Sequence, residues 1–262
     1  MFWHRFLSAL VGIPLLIVAV RYGGVLLLAV TAALMLLAAR EINHIFSRLN
    51  LQVPLFLVIP GCFILLLTAY LFKEGYHGAA VIIVLFACFL SVILYYPRFT
   101  PLDASVTFLS IMYLGLFLYF FLLSTLDNGW IWLIVMLVCT WANDTAAYLV
   151  GRQWGRRRLA PAVSPGKTVE GAVGGVSGSI MAAFLVTLFY PALPVGDLLV
   201  LGALAGLAAQ VGDLVESAIK RQACIKDAGR LIPGHGGILD RFDSMLFTAP
   251  LVYYYVGLIK IS

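Results

Sequence analysis

The chain has 262 residues, 63% hydrophobic and 11% charged, with a formal net charge of +5. Soluble domains carry about 25% charged residues, so this composition excludes a water-soluble globule and points to a membrane protein. The four cysteines are scattered with no C-x-x-C spacing, which argues against a zinc site and a disulfide framework.

Apolar runs close to the length that crosses about 30 Å of hydrocarbon recur along the whole chain. Nine are read, at 6–20, 23–39, 53–72, 78–96, 105–123, 130–150, 171–189, 198–219 and 244–261. The first follows His4 and Arg5, as in a signal peptide, but no clear small-x-small cleavage site precedes the second run, so a retained helix is expected. Alternation with period two is absent, which argues against a barrel. The predicted fold is all-α: a polytopic integral membrane helical bundle of about nine transmembrane helices. It is read as one membrane domain over 1–262, with packing helices in 1–125 and the working helices and loops in 126–262.

Loops after even-numbered spans share a side with the N-terminus. That side holds fourteen Lys and Arg residues, and the other holds three: Arg21, Lys73 and Lys260. The asymmetry predicts a cytoplasmic N-terminus, cytoplasmic polar loops at 151–170 and 220–243, and an external C-terminus. Topology and anionic lipid account for the basicity, so no nucleic-acid partner is expected.

The first 125 residues are plain, and the polar groups gather later. Span six contains Asn143, Asp144 and Thr145, and an intramembrane Asp is functional by default. The next loop carries Arg156–Arg158 and then Ser164-Pro165-Gly166-Lys167-Thr168. This is half of a phosphate-binding P-loop, but Pro161 stands where the first Gly is required and no parallel sheet is expected, so a P-loop is rejected. A Gly-Lys-Thr turn can still offer an ammonium to phosphate.

Asp213, Glu216, Ser217 and Lys220 follow the i, i+3, i+4, i+7 spacing of one helix face. A snorkelling helix end explains Lys220 but not Asp213 two turns deeper, where an acid costs about 2.5–3.5 kcal/mol on insertion scales. Asp240 and Asp243 are again i, i+3, at the start of span nine. Carboxylates from two helix ends, with no thiols or paired histidines, suit a hard divalent cation. Between them, Gly234-His235-Gly236-Gly237 can be a simple turn or a phosphate cradle.

From Ser217 the chain reads S-A-I-K-R-x4-K-D-A-G-x-L-I-P-G-H-G-G-I-L-D-R-F-D. This resembles the signature of the phosphatidate cytidylyltransferases, or CDP-diacylglycerol synthases, of bacterial type. The motifs at 143–145 and 164–171 are similar to that family's upstream motifs, and the resemblance is specific over about 140–262. It implies that CTP and phosphatidic acid give CDP-diacylglycerol and pyrophosphate with Mg²⁺, one ion or two. It also implies that Asp213 and Asp240 are core metal ligands, with Asp243 and Asp144 either as further ligands or as groups that support the ligands. Asp213, Ser217, Lys220, Asp240 and Asp243 would form the catalytic set. Lys167, Arg221, Lys226, His235, Gly236, Gly237, Arg241 and Asp144 would contact substrate. The expected setting is the bacterial inner membrane, with the site facing the cytoplasm, membrane lipid around it and a homodimer as one arrangement. The competing class is a cation-coupled transporter that uses Asp144, Asp213 and Asp240 as an ion relay. It leaves the basic Gly-rich loops unexplained. An alcohol phosphotransferase would show a D-x-x-D-G array, which is absent.

Overall fold

The structure is a computed structural model that describes residues 14, 16–73, 75–229 and 236–259. Most of the expected first span, His235 and the last three residues lie outside the described residues. Among the described residues the fold is all-α and membrane-spanning. It has helices α1 (Gly24–Ser47), α2 (Leu55–Phe72), α3 (His77–Tyr95), α4 (Pro101–Gly115), α5 (Leu118–Ser124), α6 (Gly129–Trp154), α7 (Val169–Phe189), α8 (Val195–Gln222) and α9 (Leu239–Ile259). One hairpin of β1 (Arg158–Ala160) and β2 (Ser164–Thr168) interrupts them. Seven segments are long and apolar enough to cross a membrane, with α4 and α5 together forming one of them. Ile93 and Phe189 are 77% and 80% exposed, a liability in water but a fitting surface against lipid tails.

The chain packs as two compact units. One holds residues up to Thr125 with Gln222–Arg241, the other Leu126–Arg221 with Phe242 onward.

In the first unit, Thr100 starts α4 with a capping box. Its hydroxyl accepts from the Asp103 amide at 3.3 Å, and the Asp103 carboxylate accepts the Thr100 amide at 2.8 Å. This satisfies donors that a helix start leaves unpaired. The buried Asp103 also accepts the Gln52 amide at 2.7 Å, tying the α1–α2 connection to α4.

In the second unit, small residues let helix backbones approach. A Cβ built on Gly178 of α7 would stand 2.5 Å from the Ala146 Cβ of α6. On α8, a Cβ at Gly206 would stand 3.1 Å from the Cα of Val176. The Ser179 hydroxyl donates to the Gly202 carbonyl at 2.7 Å across the same contact. Such small-residue seams allow helix association where no hydrophobic drive separates helix from lipid.

Gly178→Ala should lower the thermal midpoint of the detergent-solubilised protein, with overpacking costing about 1–3 kcal/mol. Gly196→Ala, where nothing lies within 4 Å, should leave the midpoint unchanged or slightly raised. Equal midpoints for both variants would refute the seam.

Candidate active site

In the second unit, α6, the hairpin, α7 and α8 enclose a cavity of about 490 Å³. Asn143, Asp144, Tyr148 and Arg152 of α6 line it, as do Ser164, Gly166 and Lys167 of the hairpin and Gln210 and Asp213 of α8. Asp144, Tyr148 and Arg152 are spaced i, i+4, i+8, which puts them on one helix face. Arg152 Nη1 donates to the Tyr148 hydroxyl at 3.3 Å.

The hairpin is antiparallel, pairing Arg158 with Thr168 and Ala160 with Ser164. Its base is held from α7. The Glu170 carboxylate accepts the amides of Arg156 and Arg157 at 3.0 and 3.1 Å. Thr168 caps α7 by accepting the Gly171 amide at 3.1 Å. The half-P-loop sequence therefore sits on a β-hairpin rather than between a strand and a helix of a parallel sheet.

That hairpin carries Lys167 to α8, where its ammonium meets Asp213 Oδ2 at 2.6 Å. The Ser217 hydroxyl donates to the other oxygen of Asp213 at 3.3 Å. Lys220 is ion-paired with the buried Glu216 one turn along the same helix. Arg221 donates Nε–H to the Val163 carbonyl at 3.2 Å, fastening the end of α8 to the hairpin turn. Asp243 of α9 is half-buried, with the carboxylates of Asp213 and Asp144 and the ammonium of Lys220 within electrostatic reach. Four of the residues expected in the site, Asp144, Asp213, Lys220 and Asp243, thus share one electrostatic neighbourhood in this unit. Among the described residues, no three His, Cys, Asp or Glu side chains form a ready metal cage.

The position of Asp144 rests on an amide network. Gln210 Nε2 donates to Asn143 Oδ1 at 3.0 Å and to the Ala172 carbonyl at 2.8 Å, and Asn143 donates to Asp144 at 3.1 Å. Gln210, Tyr148, Arg152 and Glu170 were not among the expected site residues. The signals were present: an amide within an apolar run, and helical spacing beyond Asp144.

Asp240, Gly236, Gly237 and Lys226 belong to the first unit. Asp240 Oδ2 accepts the amides of Ala228 and Gly237 at 2.8 and 2.7 Å, drawing together the two ends of the Gly-rich loop. Gly236 has a φ of +84°, where a side chain is strained, and a Cβ there would meet Asp240 at 2.6 Å. Arg241 follows in the first turn of α9 and is exposed. A buried carboxylate that the sequence reading passed over, Glu41 of α1, accepts the amides of Ile238 and Leu239 at 2.8 and 2.9 Å.

Residues 3–259 match the model of the Cytidylyltransferase family. The chain is 33% identical over 258 residues to a phosphatidate cytidylyltransferase of Staphylococcus epidermidis, covering 95% of this chain and 96% of that one. It is 32% identical, with the same coverage of both chains, to phosphatidate cytidylyltransferases of Staphylococcus haemolyticus and Staphylococcus aureus.

The grip of Glu170 on the hairpin base can be tested without any substrate. Glu170→Ala removes the acceptor for two amides, so trypsin should cut after Arg156, Arg157 or Arg158 several-fold faster than in the parent. Unchanged cutting would mean that strand pairing alone holds the hairpin.

Proposed function

The chain belongs to the cytidylyltransferase family, and on that premise we propose which of its residues carry out the transfer. The activity is that of a phosphatidate cytidylyltransferase, a nucleotidyltransferase of phospholipid biosynthesis embedded in a membrane. A transporter role has no support from this family. An oxygen of the phosphatidate phosphate bonds to the α-phosphorus of CTP. The bond from that phosphorus to the bridging oxygen breaks, and pyrophosphate leaves with its electron pair. The lipid is the nucleophile, so the protein has to position two anions and neutralise their charge.

The observation that carries the residue assignment is the Lys167–Asp213 pair beside the cavity. It places an ammonium and a carboxylate in contact, and a triphosphate entering the cavity would compete with Asp213 for that ammonium. Lys167 and Arg152 then hold phosphate oxygens, and Tyr148 and Asn143 shape the cavity wall.

Magnesium suits the donors present. They are hard oxygens, and this ion takes one or two carboxylates and keeps water and substrate phosphate for its other positions. Asp213 and Asp243 would hold it, with Asp144 in the same electrostatic neighbourhood, and a ligand role for Asp240 rests on the signature alone. Bound there, it would neutralise charge on the transferred phosphoryl group. Ser217 orients Asp213. Lys220 neutralises phosphate charge from its place beside Glu216. Arg221, Lys226, His235, Gly236, Gly237 and Arg241 stay as substrate contacts on the strength of the signature. The Lys/Arg asymmetry supports a site that faces the cytoplasm of a bacterial inner membrane.

Labelled CTP and phosphatidate in mixed micelles should yield labelled CDP-diacylglycerol, with turnover lost on chelation and restored by Mg²⁺. Asp213→Asn and Asp243→Asn should each lower turnover by about a hundredfold or more. Asp197→Asn, at the other end of α8, should leave turnover unchanged. Parent-like turnover in Asp213→Asn would remove the proposed ion site. A reporter inserted at 161–163 should read cytoplasmic, and the opposite reading would reverse the orientation.

A further inference from the structure

Glu41 is a carboxylate at 7% exposure inside a membrane-spanning helix. A buried charge of this kind is costly unless its oxygens are satisfied. Here the partners are backbone amides, one on each oxygen: Ile238 to Oε1 at 2.8 Å and Leu239 to Oε2 at 2.9 Å. These two donors stand at the opening of α9, where a helix leaves its amides unpaired and its dipole favours a negative charge. Glu41 therefore caps α9 from a helix almost two hundred residues earlier.

The loop before α9 is moulded to the same carboxylate. A Cβ on Gly229 would stand 2.6 Å from Glu41 Oε1, and one on Gly237 would stand 2.5 Å from it. Only glycine lets the backbone come this close at both positions. Asp240 joins Ala228 to Gly237, and Glu41 ties Ile238 and Leu239 to α1. The two carboxylates thus do different work on one segment.

We infer that Glu41 is a positioning residue for cytidylyl transfer. It touches no substrate. It holds both described ends of the Gly-rich segment against α1, at Gly229 and at Gly237–Leu239, and so positions Lys226, Gly236 and Gly237. The inference deepens the proposed function, because the loop residues matter to turnover only if they meet the substrates.

The test compares the full-length protein with Glu41→Gln in mixed micelles. The amide keeps one acceptor and turns an NH₂ toward the second backbone N–H. We expect kcat to fall about ten- to a hundredfold, the scale of a roughly 1 Å misplacement, with KM for CTP changed by less than about threefold. Without substrate, trypsin should cut after Lys226 faster than in the parent. Gly229→Ala should reproduce both effects, and should add little in a Glu41→Ala background, where the new Cβ has room. A parent-like kcat in Glu41→Gln overturns the inference. So does a fall in kcat matched by loss of folded protein on size exclusion with no new cut at Lys226, and so does full additivity of Gly229→Ala with Glu41→Ala. A parent protein that makes no CDP-diacylglycerol would instead overturn the activity reading. The trypsin comparison needs no substrate and reports the docking of the loop by itself.

Discussion

A carboxylate placed among apolar helices must find a partner for each oxygen, because neither lipid nor packed side chains can replace its water. The acids near the working loops draw their partners from different sources. Asp213 takes a lysine and a serine, and Glu216 takes the lysine one turn on. Asp240 and Glu41 take backbone amides, and Glu170 takes the amides at the base of the hairpin. A lysine on such an acid can exchange its carboxylate partner for a phosphate, which brings the same sign of charge. A backbone amide cannot leave, so it gives a fixed frame. Within the second unit an exchangeable pair, Lys167–Asp213, thus stands beside a hairpin whose base Glu170 holds by backbone amides that do not exchange.

Helix packing supplies the other half of the arrangement. Gly178 against Ala146, and Gly206 against α7, bring three helices near enough for Gln210 to reach both Asn143 and Ala172. The network that orients Asp144 exists only at that spacing. Replacing a seam glycine would shift the helix that carries the acid before it touched any polar group. In a bilayer, where lipid competes on equal terms for apolar side chains, this backbone proximity is what makes helix contact specific.

Much of this was legible in the chain. Run length and the lack of charge gave the all-α membrane class, because hydrocarbon thickness fixes how many apolar residues a span needs. Helical spacing placed Asp213, Ser217 and Lys220 on one face of α8, and the structure finds them there. The hairpin at 158–168 was not legible. Its strands are three and five residues long and lack alternation, and its anchor, Glu170, lies in the next helix. The fifth span was read as one run, and in the structure it breaks between α4 and α5. Glu41 was passed over because a lone acid near the end of an apolar run, beside Arg40, reads as a snorkelled interface residue. Its partners are amides remote in sequence, and backbone groups leave no trace in residue types.

The bonds from Glu41 also bear on how the protein is made. They join positions 197 and 198 residues apart, among the longest-range contacts a chain of this length can have, and such contacts form late. While the chain is being synthesised, α1 enters the membrane long before Ile238 and Leu239 leave the ribosome. During that interval Glu41 must be kept by water at the membrane surface or by a temporary partner. Completion of the loop is then coupled to arrival of the last helix, so a chain that stalls short of its end keeps an exposed acid in its first described span.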